Sequence, residues 1–127
     1  MHALTIKDET ASGKLLQEIS LQFEKEYITV QELITARIKS EVDRIQQHKA
    51  DLSSVLVLPK ALERRLNRKA PKKIDVDKQV QIACKAFQQN GFFILIDDEQ
   101  VEELDQQFLV DSETMVSFIK LTPLVGG

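Results

Sequence analysis

Met115-Val116-Ser117-Phe118-Ile119-Lys120-Leu121-Thr122-Pro123-Leu124-Val125-Gly126-Gly127 is the stretch on which the reading of this chain turns. Its first part is a hydrophobic segment of strand length, Met115 to Leu121. Pro123 then removes a backbone donor and ends the ladder. Gly126 and Gly127 follow. Glycine carries no Cβ and costs the most entropy to order, so a Gly-Gly carboxylate is the thinnest and most mobile handle a polypeptide offers. Extended from Leu121 to Gly127, it reaches roughly 20 Å beyond the strand. The expectation is that function sits in this tail, residues 122–127, with Gly126 and Gly127 as the reacting end and Pro123, Leu124 and Val125 as its docking residues.

Immediately upstream, Asp111-Ser112-Glu113 reads as a turn. Val101 to Val110 is a looser connection with room for a short strand at Phe108-Leu109-Val110. Asp97-Asp98 is another turn, and Phe92-Phe93-Ile94-Leu95-Ile96 is so continuously apolar that a strand buried on both faces is expected. Asn90-Gly91 stops a helix capped by Asp75, with Val76, Val80, Ala83, Cys84 and Phe87 on one side.

From the N-terminus, Leu4 and Ile6 alternate with polar neighbours as in a strand. Lys7 to Lys14 has the composition of a hairpin loop. Leu15, Ile19, Leu21 and Phe23 share one face of a second strand. Thr29-Val30-Gln31-Glu32 matches a capping box, with Ile28 and Leu33 at the staple positions. Val30, Ile34, Ile38, Val42 and Ile45 then form an apolar stripe on a helix to about Gln47. Glu32, Arg37, Lys39, Glu41 and Arg44 are expected on its outer, polar face.

The intervening segment is harder to read. Ser54 to Leu58 is a short apolar run ended by Pro59, Ala61 to Arg68 has helical composition, and Ala70-Pro71-Lys72-Lys73 breaks it. The order of elements predicts an α+β domain with helices on one face of a mixed sheet and the first and last strands parallel at its centre.

Composition limits the alternatives. The chain has 127 residues, 43% hydrophobic and 29% charged, with net charge −3. That suits one domain burying about two thirds of its unfolded surface. No apolar run approaches the ~20 residues of a membrane span, no signal-peptide core is evident, and a cytoplasmic location is the default. Cys84 is the only cysteine, which leaves no disulfide framework and reads as a packing residue. His2 and His48 are too isolated for catalysis. Acidic pairs such as Asp97-Asp98 and Glu102-Glu103 suit turns and surface better than acid–base work. With no phosphate-cradling glycine loop and no nucleophile–histidine arrangement, the reading is not an enzyme.

Charge is unevenly spread. Lys60, Arg64, Arg65, Arg68, Lys69, Lys72 and Lys73 are opposed only by Glu63 across that span, whereas Asp97 to Glu113 holds eight acids and no lysine or arginine. Either run could steer a partner. The basic run, with Arg64, Arg65, Arg68, Lys69, Lys72 and Lys73, is a candidate partner-binding patch. A nucleic-acid surface is disfavoured, because only Phe87 supplies an aromatic near it and the net charge is negative.

A hairpin, a crossing helix and a closing strand that runs into Gly-Gly resembles the ubiquitin-like β-grasp family. Asp111-Ser112-Glu113-Thr114-Met115-Val116-Ser117-Phe118, followed by Thr122-Pro123-Leu124-Val125-Gly126-Gly127, is most similar to the prokaryotic sulfur carriers of thiamine and molybdopterin synthesis. The match covers about residues 1–47 and 92–127.

The resemblance implies a β-grasp domain over residues 1–121, with a long, partly helical insertion at about 48–91 before the third strand. It implies a protein modifier or sulfur carrier with no bound cofactor. A partner adenylating enzyme would use ATP and magnesium to activate the Gly127 carboxylate. A conjugating enzyme or sulfur-transfer partner would then convert it to an isopeptide or a thiocarboxylate. The insertion, and a tail with Thr122-Pro123-Leu124 and no arginine, are departures from the family pattern. The alternative is an assembly module acting through the basic insertion or an exposed sheet edge.

Overall fold

The computed structural model describes residues 1–47 and 74–121. The sequence readings for Ser54–Leu58, Ala61–Arg68, Ala70–Lys73 and the tail lie outside the described residues.

The first strand, β1 (His2–Thr10), is longer than expected, and it absorbs Lys7 to Thr10 from the anticipated loop. Leu4, Ile6 and Asp8 alternate inward and are all fully buried. Asp8 can continue the inward row because it is paired there, as described below. The loop itself is only four residues. Thr10 binds Lys14 O through its backbone N–H (2.9 Å) and accepts at Oγ1 from Lys14 N (3.0 Å). Gly13 takes φ +92°, a conformation that favours glycine.

The second strand, β2 (Leu15–Phe23), runs antiparallel to β1, with Leu4 opposite Leu21 and Ile6 opposite Ile19. A bulge then shifts the register, so that Gln17 faces Asp8 but Leu15 faces Glu9. One extra residue reverses the side on which the strand continues. Leu15, expected beside Ile19, is therefore 50% exposed on the open side of the sheet.

After β3 (Tyr27–Thr29), helix α1 (Val30–Gln46) begins at the expected capping box. Glu32 N donates to Thr29 Oγ1 (3.1 Å) and Thr29 N to Glu32 Oε1 (3.3 Å). The preceding helix donors are also satisfied, Val30 N by Gln106 O and Gln31 N by Leu104 O, both at 2.9 Å. The apolar stripe is buried as expected. The outer face needs correction: Arg37 is fully buried and Glu41 nearly so. At about 100° per residue they fall inside the arc spanned by Leu33, Ile34, Ile38, Val42 and Ile45.

Helix α2 (Val76–Gln88) is capped by Asp75, whose Oδ1 accepts from Lys78 N at 3.2 Å. Ala83, Cys84 and Phe87 are buried and Val76 and Val80 pack against the same core. The second half of the expected insertion is thus part of the body, and α2 lies against α1. Its end is a Schellman motif: Gly91 N reaches Ala86 O (2.7 Å) and Asn90 N reaches Phe87 O (3.1 Å). Asn90 carries the left-handed turn at φ 61°. Gly91 is needed for closeness, since a Cβ there would meet Ala86 O at 3.1 Å.

Strands β4 (Phe92–Ile96), β5 (Glu99–Val101), β6 (Gln107–Leu109) and β7 (Val116–Lys120) complete the fold. Asp97 and Asp98, at φ 51° and 68°, form the two-residue turn between β4 and β5, the mirror-image turn whose twist suits a hairpin. The main sheet has the order β2-β1-β7-β4-β5, and β3 pairs with β6 in a separate ribbon. The first and last strands are parallel neighbours at the centre, as expected. The helices cover one face. Among the described residues strand β4 is accordingly fully buried on one side: Phe92, Ile94 and Ile96 point into the core, and Phe93 and Leu95 are half-buried on the other. Phe92 bridges Phe87 and Phe118, with ring centroids 5.9 Å away in each case.

Candidate functional site at the root of the C-terminal segment

Strand β7 is held on both sides. In parallel with β1 its register runs from Ile6–Val116 to Thr10–Lys120, and antiparallel to β4 from Phe92–Lys120 to Ile96–Val116. Its entry is also pinned. Asp97 N donates to Met115 O (2.8 Å), and Met115 N donates to Asp97 Oδ1 (2.9 Å). Asp111 Oδ1 accepts from Glu113 N and Thr114 N, each at 2.8 Å. Those donors hold the Asp111 carboxyl below its usual pKa, Glu113's backbone N–H contributing most. Strand β7 therefore leaves a rigid sheet at Lys120, and Leu121, 40% exposed, is the last described residue. The expected tail residues Pro123, Leu124, Val125, Gly126 and Gly127 lie beyond it, outside the described residues. So do the basic candidates Arg64, Arg65, Arg68, Lys69, Lys72 and Lys73.

On the core side of this root sits a charge cluster that the sequence reading missed. Arg37 Nη2 donates to Asp8 Oδ2 (2.6 Å), and Nη1 donates to Asp8 Oδ1, a bidentate pair. Arg37 Nε donates to Glu41 Oε1 at 3.0 Å, and Gln17 Nε2 donates to Asp8 Oδ2 at 2.7 Å. The guanidinium carbon lies 4.6 Å from the Phe118 ring centroid, within cation–π range. Burial acts to lower the pKa of Arg37, but Asp8 and Glu41 outweigh it and the guanidinium is held more firmly protonated. Lys120, on the same side of β7, has its pKa lowered, chiefly by burial and also by Arg37, against the opposing pull of Asp8 and Glu41. The signal was present in the sequence as an opposite-charge pair at i and i+4 falling within the apolar arc.

On the open side, the registers assemble a transverse row. Leu15 of β2 faces Glu9 of β1, Glu9 faces Ile119 of β7, and Ile119 faces Phe93 of β4. Leu95 and Ser117 lie in the next row beside Lys7. With Leu16 at 48% exposed, this makes a mixed apolar surface directly at the tail root. The acidic turns are where they were expected, Asp97-Asp98 between strands and Glu102-Glu103 exposed. Glu102 and Glu103 border a cleft of about 350 Å³ with Phe87, Asn90, Phe93 and Gln100.

Cys84 is buried, and burial pushes its thiol pKa up, as suits packing rather than attack. Among the described residues no three His, Cys, Asp or Glu side chains gather as a metal ion requires. Nor is any helix among them long and apolar enough to cross a membrane. No protein-family model, curated protein or solved structure matches the chain.

Proposed function

We propose that this chain is a ubiquitin-like, β-grasp carrier whose Gly127 carboxylate is activated by a partner and passed to an amine or to sulfur. The observation that supports the reading is the central, parallel pairing of β1 with β7 beneath a crossing helix. A closing strand gripped on both sides is a firm base for a thin tail, and Lys120 stands at its C-terminal end, between β1 and β4.

The chemistry follows from the group at the end. A carboxylate is a poor electrophile. Attack of its oxygen on the α-phosphorus of ATP releases pyrophosphate and leaves an acyl adenylate, with AMP as the later leaving group. A partner thiolate displaces AMP to give a thioester. A lysine amine then releases the thiol and forms an isopeptide, or hydrosulfide from a sulfur donor attacks the acyl carbon, expels the same thiol and leaves a thiocarboxylate. Gly126 leaves room in a narrow channel, and Pro123, Leu124 and Val125 dock the tail. The open sheet face around Ile119 and Phe93 is the surface that the activating partner would grip.

The test is the intact mass of the protein purified from its native cell. An increment of one sulfur for one oxygen indicates the thiocarboxylate, and a ladder of larger adducts ending in an isopeptide to Gly127 indicates conjugation. Deleting Gly126 and Gly127 should abolish either product and leave the far-ultraviolet circular dichroism unchanged. Retention of the product after that deletion, or permanent extra residues beyond Gly127, overturns the proposal.

A further inference from the structure

The two edges of the main sheet are built differently. Strand β5 spans only Glu99–Val101 and is surrounded by the exposed acids Asp97, Asp98, Glu102 and Glu103. Short length and like charge are the usual protections of an edge. Strand β2 is nine residues long. Past its bulge, the regular run Gln17–Phe23 contains no proline and one charge, Glu18, which sits opposite Lys7 of its own sheet. Among the described residues no strand pairs with its outer side.

We propose that β2 pairs antiparallel with β2 of a second copy about a two-fold axis through Ser20. Such an isologous contact demands a self-complementary strand, and the regular run has that property. With Ser20 on the axis, all of Gln17–Phe23 is used and the bulge at Leu16 falls outside the ladder. Ile19 meets Leu21 twice on the helix-covered face. Glu18 meets Gln22 twice on the open face, a carboxylate against a carboxamide that can donate to it. Moving the axis to Glu18 sets two carboxylates against each other, and moving it to Ile19 sets Gln17 against Leu21. Shifts that place an odd position opposite an even one join the helix-covered side of one copy to the open side of the other. Strand β1 separates β2 from β7, so both tail roots stay open in the resulting ten-stranded sheet, and the inference does not depend on the carrier reading.

The test is analytical ultracentrifugation of the full chain from micromolar to millimolar concentration, with Ser20→Lys and Ser20→Glu variants. Ser20 is exposed, so circular dichroism should show both variants folded. Like charges directly opposite on the axis should weaken dimerisation by about tenfold in each variant. An equimolar mixture of the two should restore it, because Lys then faces Glu. A wild-type chain that stays monomeric throughout overturns the proposal, as does a dimer indifferent to both variants. Tighter dimerisation by Ser20→Lys would place that lysine opposite Glu18 and overturn the register.

Discussion

A guanidinium shut away from water, as at Arg37, survives only because every neighbour answers it. Asp8 takes two of its donors, Glu41 a third, and Phe118 offers a ring face. Removing one partner leaves the others buried and uncompensated. Arg37→Met should therefore cost about 3–5 kcal/mol in urea unfolding. Replacing Asp8, Arg37 and Glu41 together by apolar residues of similar size should cost less than Arg37→Met alone. A second test concerns Asp111, whose folded pKa lies below its usual 3.8. The unfolded chain therefore binds that proton more readily. The stabilisation is present in full above the unfolded pKa and disappears as pH falls through the folded one. Asp111→Asn should flatten the decline in melting temperature between about pH 5 and pH 2. Asp111 was legible as a turn residue. Arg37, Asp8 and Glu41 were not, because periodicity sorts residues by polarity and a paired charge sits inward against that sorting.

Helix α1 owes its sharp start to a reciprocal exchange between Thr29 and Glu32, reinforced by carbonyls from residues 104 and 106. Thr29→Ala should destabilise the fold by about 1 kcal/mol by thermal or urea unfolding. The start and the apolar stripe of this element were readable, because a cap, a staple and a stripe all act within one turn or one face of the same segment, whereas its buried Arg37 and Glu41 were not. Strand β2 was readable only in part. Its alternation correctly gave Ile19 and Leu21 to the core, but the bulge that turned Leu15 outward is a feature of pairing with β1 and leaves no mark in β2 alone. The same holds for β4, whose unbroken apolar run suggested two covered faces, whereas among the described residues one face is buried and the other half-buried. Phe93 and Leu95 are apolar on the open side, beside Ile119.

Across the molecule, that open face and the tail root meet at one end of the sheet. If the carrier reading holds, Leu16→Ser combined with Ile119→Ser should reduce ATP-dependent adduct formation by at least about fivefold, with the melting transition little changed, since few residues carry most of an interface's energy. Equal adduct yield from this variant would remove the face from the mechanism. The sequence alone settled what is local, the two helix caps, the Asp97-Asp98 and Asp111 turns and the apolar stripe, while the order of elements implied the parallel partnership of first and last strands. Side-chain period and hydrogen-bonding capacity are properties of a few adjacent residues. Folding had to decide the rest. Which strand register a bulge selects, which charges find one another across 29 positions from Asp8 to Arg37, and which apolar residues of separate strands line up in one row depend on chain segments that are distant until the sheet closes.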